Sequence, residues 1–529
     1  MVILHHRRYD TFKMLLRQIG SLQILLGLTL VIPLTVSLIY GEFYSALGFV
    51  ISSLICVGIG LSLYKGFQTS FEPLHRHALI IAAVGWLSIA IMGGLPFILT
   101  AYITPAEIAQ RFCPPGTEYS SSLLYFRNPL HAVFDSMSGF TTTGLSMAVH
   151  EPSIGKGLLF YRCFTQLLGG AGFIILSLAV IGHSNGKTAY LLYGTESTGE
   201  RLNPSIIETA RSIWKVYIGV TIFSFIYLVI GTYVLLPSYS LADNIFDSVN
   251  HAMAAQSTGG FSNLDDSIAG YHSLKMEILY LFPMILGSFS LPFYFKVIYD
   301  KQVNQFWKNL QTRSIIILSI AGSVILSLML MKYGKISEPF RIGTFQFISA
   351  LTTTGWQTSD VHTWDSPSVV FIVMAGMVVG GAAGATVGGI KIIRVLMIFK
   401  GLFWHVGTFF SSDNSIKVVR FNEKRLLPEE MHKELASAAT FAFIYLLFVL
   451  ISTFITYYLM GSGYTIKDAL FESASAQGTV GLSCGITNPG MSPLLEIVYI
   501  IQMWAGRLEI MPVLVLLRTI ILGTKPAVV

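Results

Sequence analysis

The sequence predicts an all-α polytopic membrane protein. Four pseudosymmetric units, each reading helix, re-entrant half-helix, polar loop, helix, follow an extra N-terminal helix pair. Three observations predict this. The 529 residues are 53% hydrophobic and 12% charged, with a mean hydropathy of +0.65, whereas an ordinary soluble chain carries roughly 25% charged residues. Ten apolar runs approach or exceed the ~20 residues that cross a bilayer; they fall at about 19–40, 45–64, 78–103, 157–182, 213–236, 274–298, 314–332, 367–399, 437–460 and 493–522. Between these runs, four short polar segments nearly repeat one another: Thr141-Thr142-Thr143-Gly144, Ser257-Thr258-Gly259-Gly260, Thr352-Thr353-Thr354-Gly355 and Gly478-Thr479-Val480-Gly481.

The N-terminus carries Arg7, Arg8, Lys13 and Arg17 before the first apolar run. That run is too long for a signal-peptide core and no small-residue cleavage site follows, so it reads as a retained helix. The next links also carry basic residues: Lys65 and Arg76, then Lys187, Arg201 and Arg211, then Lys301, Lys308 and Arg313, then Lys417, Arg420, Lys424, Arg425 and Lys433. If each run crosses once, all of these fall on one side, which the positive-inside rule makes cytoplasmic, with both termini there. The net charge of +6 is accounted for by that distribution, and no nucleic-acid partner is expected. Cys56, Cys113, Cys163 and Cys484 form no CxxC pair, so neither a zinc site nor a disulfide framework is expected.

The opposite side receives 104–156, 237–273, 333–366 and 461–492, the segments that hold the Thr-Gly signatures. Each signature follows a mixed stretch of about twelve residues, at 129–140, 245–256, 339–351 and 466–477, too short to span but long enough for a half-membrane helix. Non-helical backbone at membrane depth is tolerated where it is buried in protein or lines a watery path. The chain therefore divides into a helix pair (1–70) and four units, 71–190, 191–305, 306–415 and 416–529, expected to surround one pore.

Thr and Gly suit an ion filter for different reasons. Glycine reaches φ > 0, so successive carbonyls can turn toward one axis. The threonine hydroxyl adds another uncharged oxygen, and such oxygens replace the water shell of a potassium ion while letting it leave. A half-helix ending at the loop points its negative end toward a cation. One TTTG alone would read as a polar turn; four equivalent copies read as a filter. Gly478-Thr479-Val480-Gly481 also contains the TVG of potassium-channel filters.

Three further features carry candidate roles. Gly380, Gly381, Gly384, Thr386, Gly388 and Gly389 lie in a glycine-rich stretch inside the run 367–399. Each glycine costs about 1 kcal/mol in a helix interior, so the stretch reads as a loop below the filter, a gate; close helix packing through small residues is the competing reading. Arg507, with Glu509, lies inside the last run. An intramembrane charge opposes cations, anchors the gate loop, or serves as a structural pair. Asp135 and Glu472 each stand nine residues before a filter glycine; concentrating cations at the outer mouth and capping or packing the half-helix are both open. His131 and His251 read as hydrogen-bonded structural residues. No catalytic triad, metal constellation or nucleotide fingerprint is present in the sequence, and no enzymatic activity is expected.

These segments resemble the TrkH-type membrane subunits of the Trk/Ktr/HKT superfamily of potassium transporters. The resemblance rests on the four signatures, Phe160-Tyr161-Arg162, Gln166-Leu167-Leu168-Gly169-Gly170, the stretch from Asn250 to Ser262, the glycine loop after Val379, and Gly506-Arg507-Leu508-Glu509. It covers nearly the whole chain, including the leading helix pair that Ktr relatives lack. It implies a homodimer with one pore per protomer in a bacterial inner membrane, and a TrkA-like cytosolic nucleotide-binding ring as gating partner. It also implies a gating role for the intramembrane loop, a pore arginine at Arg507, and potassium as the transported ion with no other cofactor. Ala254-Ala255-Gln256 and Gln477 depart from the family's pattern. The competing function is a secondary symporter coupling potassium to protons or sodium, which would need buried carboxylates; besides Glu509, the runs offer Glu277 and Glu496.

Overall fold

Six helices among the described residues are long and apolar enough to cross a membrane: Asp10–Ile39, Phe43–Gly66, His75–Ile103, Ile206–Leu235, Leu310–Tyr333 and Pro428–Leu459. The computed structural model describes residues 2–69, 73–114, 116–180, 186–196, 205–333, 336–410, 418–422 and 424–523; Arg201 and Lys417 of the predicted basic links lie outside them. The chain is an all-α polytopic membrane protein, with two minimal sheets among the described residues that the sequence did not announce. A parallel pair joins Val379–Gly380 to Ile390–Lys391, and a hairpin joins Val419–Phe421 to Lys424–Leu426.

The leading pair forms because small residues allow close approach. A side chain on Gly60 would meet the backbone of Ile24 at 2.7 Å and of Gly20 at 2.8 Å, the small-residue packing that replaces a hydrophobic driving force in lipid. Faces turned away from the bundle stay apolar, with Phe223, Ile230, Phe443, Phe454 and Tyr458 exposed. The interior instead holds polar side chains, among them Gln166, Asn250, His251, Gln346 and Glu472. That inversion is expected where lipid, not water, is the outer solvent.

The four runs that follow the signatures are not single helices; the sequence reading expected a break in the third alone, and the other three are corrected from unbroken to broken runs. The first is Lys156–Gly170 and Phe173–Val180, bent by 79°; the second is Leu274–Gly287 and Leu291–Ile298, bent by 93°. The third is Pro367–Val378 and Ile392–Thr408 around the glycine loop, and the fourth is Pro493–Arg507 and Met511–Leu522. Only the third break was visible in composition. At three of the breaks a glycine lies against the end of a half-helix. A side chain on Gly169 would strike the carbonyl of Phe140, one on Gly287 that of Ala255, and one on Gly506 that of Gln477. Around the first two breaks the residues are apolar or small and mostly buried, so hydropathy does not register them; at the fourth, Arg507 and Glu509 flank Leu508 and read from sequence as an intramembrane charge, not as a break.

The four half-helices are Pro129–Phe140, Leu241–Ser257, Pro339–Leu351 and Ile466–Gly478. Their starts obey ordinary rules. Asn128 accepts the Leu130 N–H ahead of Pro129, and Thr465 and Asp468 form a capping box.

Candidate ion-filter site and the loop beneath it

All four half-helices end the same way. The second residue of each signature is left-handed: φ is 57° at Thr142, 53° at Thr258, 51° at Thr353 and 48° at Thr479. Its N–H bonds three residues back, to the carbonyls of Gly139, Ala255, Ala350 and Ala476. The next N–H bonds five residues back: Thr143 to Ser138, Gly259 to Ala254, Thr354 to Ser349 and Val480 to Ser475. This is a Schellman motif, but with threonine where glycine is the usual choice. A β-branched residue with φ > 0 is a genuine outlier, costing roughly 1–2 kcal/mol. Four repetitions of that strain at one place make these threonines candidate functional residues. The fourth residue is also left-handed, with φ of 94°, 72°, 84° and 92° at Gly144, Gly260, Gly355 and Gly481.

The glycines close a cycle. A Cβ on Gly144 would collide with the carbonyl of Gly259, on Gly260 with that of Thr354, on Gly355 with that of Val480, and on Gly481 with that of Thr143. Each glycine thus lies against the third-place carbonyl of another segment, and the fourth contact returns to the first. In the first and third segments, hydroxyl pairs lock the loop: Thr141 to Thr143 and Thr352 to Thr354, both at 2.8 Å. The Oγ1 atoms of Thr142 and Thr479 are buried with no hydrogen-bond partner among the described residues. A buried oxygen left so is costly, and a dehydrated monovalent cation is a suitable partner for it.

Behind the loops, the residues nine places before the glycines are Asp135, His251, Gln346 and Glu472, all buried. Asp135 Oδ1 accepts the Met147 N–H at 2.6 Å, and Arg162 Nε lies 3.2 Å from Oδ2. Glu472 accepts the N–H groups of Cys484 at 2.9 Å and Thr487 at 3.1 Å. His251 Nε2 meets Ser262 Oγ at 3.1 Å, and Gln346 donates to the Ser359 carbonyl at 2.9 Å. Each side chain holds the strand that leaves its signature. Of the two sequence readings of Asp135 and Glu472, the geometry carries packing; neither lines the open basin. A cavity of about 530 Å³ does lie over the four glycines, and its acids are Glu151, Asp265, Asp266 and Asp360. Burial pushes the Glu151 carboxyl up to about 8, against the opposing pull of Arg162, and its Oε2 is buried without a partner among the described residues.

On the other face of the ring lies the glycine loop. Gly388 N–H donates to Thr353 Oγ1 at 3.2 Å, and Thr386 Oγ1 lies 3.1 Å from Thr258 Oγ1. Gly380, Gly381, Gly384 and Gly389 sit in the same loop: a Cβ on Gly380 would strike the Gly388 carbonyl, Gly381 lies against Ser288, the Gly384 carbonyl accepts from Leu291 N–H, and Gly389 has φ 66°. Arg507 Nη1 donates to the Thr386 carbonyl at 2.9 Å, and Nη2 to the Gly170 carbonyl at 2.6 Å. Glu509 pairs with Arg394 at 2.5 Å.

Two other acids of the spans lie against basic residues. Glu277 takes a two-pronged contact from Arg341 at 2.8 and 2.6 Å, and Glu496 Oε1 lies 2.8 Å from His131 Nδ1. His251 is hydrogen-bonded and structural, as its sequence reading had it; that reading missed the brace Gln346 and the basin acids. Gln346 carried a signal, the same nine-residue offset as Asp135 and Glu472. The basin acids carried none, because they come from loops of different length.

A family model described as TrkH, a cation transport protein, matches residues 106–524. An uncharacterized cation transporter of Methanocaldococcus jannaschii is 30% identical over 511 residues, covering 96% of each chain. The Trk system potassium uptake protein TrkH of Escherichia coli is 25% identical over 519 residues, covering 96% of this chain and 98% of its own. The fold is similar to that of a crystal structure of the potassium transporter TrkH from Vibrio parahaemolyticus, with a TM-score of 0.76 at 23% identity over 96% of this chain and 98% of that one.

Proposed function

Because the chain belongs to the TrkH family of cation transport proteins, we propose that it takes up potassium through a channel-like pore. Its filter is the ring of four Thr-Gly segments, in four pseudosymmetric units around one axis. The observation that carries this is the closed cycle of Gly144, Gly260, Gly355 and Gly481 against the carbonyls of Gly259, Thr354, Val480 and Thr143. Such a ring supplies uncharged oxygens in place of hydration. The hydroxyls of Thr142, Thr258, Thr353 and Thr479 form its inner end, and the ends of four half-helices aim negative dipoles at the ion. Relatives named as Trk system potassium uptake proteins support potassium as the cargo.

The glycine loop is the gate in this reading. It hydrogen-bonds to two of the four second-place threonines, lies against a third, Thr479, and is tied by Arg507. The basin of Glu151, Asp265, Asp266 and Asp360 faces outward and collects cations. The basic links face a cytosolic nucleotide-binding ring that biases the gate, both termini are cytoplasmic, and two protomers associate in a bacterial inner membrane. Glu277, in a two-pronged contact with the permanently charged Arg341, is a poor proton carrier, which favours a pore over a symporter.

The test is flux of potassium, rubidium, sodium and lithium into liposomes holding the purified chain, under an imposed potential. Potassium and rubidium exceeding sodium and lithium is the expected result. Equal flux of all four ions would overturn the filter.

A further inference from the structure

One helical turn beyond the braces, six residues before the filter glycine, three of the four half-helices carry serine. Ser138 Oγ accepts the Gly144 N–H at 3.0 Å, Ser475 Oγ accepts the Gly481 N–H at 3.0 Å, and Ser349 Oγ donates to the Trp356 carbonyl at 2.7 Å. Each of these bonds fixes the loop at or just after its glycine. The second half-helix has Ala254 at this position, which can make no such bond.

The second loop is nevertheless held. Gln166, on the broken helix of the first unit, is fully buried beside it. Its Nε2 donates to the Gly259 carbonyl at 2.5 Å and its Oε1 accepts the Phe261 N–H at 3.3 Å. The amide therefore clamps both sides of Gly260. Gly259 is glycine for the same reason, since a Cβ there would overlap the Gln166 amide. The Gly259 carbonyl is also the one that lies against Gly144, so Gln166 reaches the ring at the junction of two segments.

We propose that Gln166 is a filter-positioning residue that substitutes, from the neighbouring unit, for the serine missing at Ala254, and so sets the ring dimension on which potassium over sodium preference depends. Gln166 does not itself meet the ion; it acts through Gly259 and Phe261. The inference rests on the filter reading above. A ring whose donors and acceptors are fixed from behind discriminates ions by geometry; a slackened one closes around a smaller cation.

The experiment measures the potassium-to-sodium flux ratio in liposomes for the wild-type chain, Gln166→Met, and Gln166→Met with Ala254→Ser. Methionine keeps the volume of glutamine and removes both hydrogen bonds. A wild-type chain with no potassium preference would remove the filter reading itself. Given a selective wild type, the ratio is expected to fall about fivefold in Gln166→Met, in line with losing two buried hydrogen bonds, and to recover in the double variant. That recovery is something a merely packing role would not produce. An unchanged ratio in Gln166→Met, or a lowered ratio that serine at 254 does not raise, overturns the proposal. Ser475→Ala, which deletes a single oxygen, provides a variant that folds; the same clamp logic requires its ratio to fall too, and an undiminished ratio contradicts it.

Discussion

Arg507 donates to the main-chain carbonyl of Thr386 across 121 residues of sequence, at 2.9 Å. The same guanidinium reaches the carbonyls of Gly169 and Gly170, where the first unit's helix breaks. One side chain of the fourth unit thus ties the loop of the third to the bend of the first. Its partners are backbone oxygens that helix breaks leave free, and a five-donor fork is suited to collecting them.

Arg507→Ala is expected to raise potassium flux through the isolated chain by about tenfold. Charge-assisted hydrogen bonds contribute roughly 1.5–3 kcal/mol each, and tenfold corresponds to about 1.4 kcal/mol. The positive charge below the ring disappears as well. Liposome flux without any partner protein reads this directly; flux equal to that of the wild type would remove the tether.

Shortening the loop between Gly380 and Gly389 is expected to act in the same direction. The loop contacts Thr353 through Gly388 and Thr258 through Thr386, so its removal opens the inner end of the ring. The measurement is leak flux at zero imposed ligand, and a shortened loop with unaltered leak would argue against a gate.

Gly144→Ser and Gly355→Ser are each expected to lower the potassium-to-sodium ratio by about tenfold. The left-handed backbone alone costs a side chain roughly 1–2 kcal/mol. In addition, the new Cβ meets the Gly259 carbonyl in one case and the Val480 carbonyl in the other. The flux ratio, compared with total flux, separates lost selectivity from lost protein.

External pH should matter through Glu151. Its carboxyl titrates near 8 because burial disfavours the charged form. Arg162 faces it and lowers the value, while Asp265 and Asp135 raise it. Below about 8 the group is largely neutral; as pH rises through that value the basin gains a negative charge and attracts cations. At low external potassium, uptake should therefore rise between about pH 7 and pH 9. Glu151→Gln should flatten that rise, and a persisting rise would assign it to another group.

Much of this architecture was legible in the sequence because the key features repeat. The four signatures and their half-helices were found at Thr142, Thr258, Thr353 and Thr479 within a residue or a few of where the helices end. The breaks at Ala171 and Ser288 were not found, since a bend packed against a neighbouring half-helix leaves the apolar run uninterrupted, and at Leu508 the flanking Arg507 and Glu509 were read as a charge inside a continuous helix. From offset alone, Asp135 and Glu472 read equally as mouth residues and as residues capping or packing the half-helix. Offset gives the position along a helix but not its facing, and both turn into the protein to hold backbone N–H groups. Gln166 stood out in the sequence only as part of the run Gln166–Gly170; the clamp proposed for it emerges only beside Ala254.

The central claim, that the four-segment ring conducts potassium selectively along its electrochemical gradient, is tested most directly by a reversal potential. The chain would be placed in a planar bilayer with potassium on one side and sodium on the other, with and without a proton gradient. The account predicts a reversal potential set by potassium and unmoved by pH difference across the bilayer. A potential that shifts with the proton or sodium gradient would contradict it and make the protein a coupled symporter.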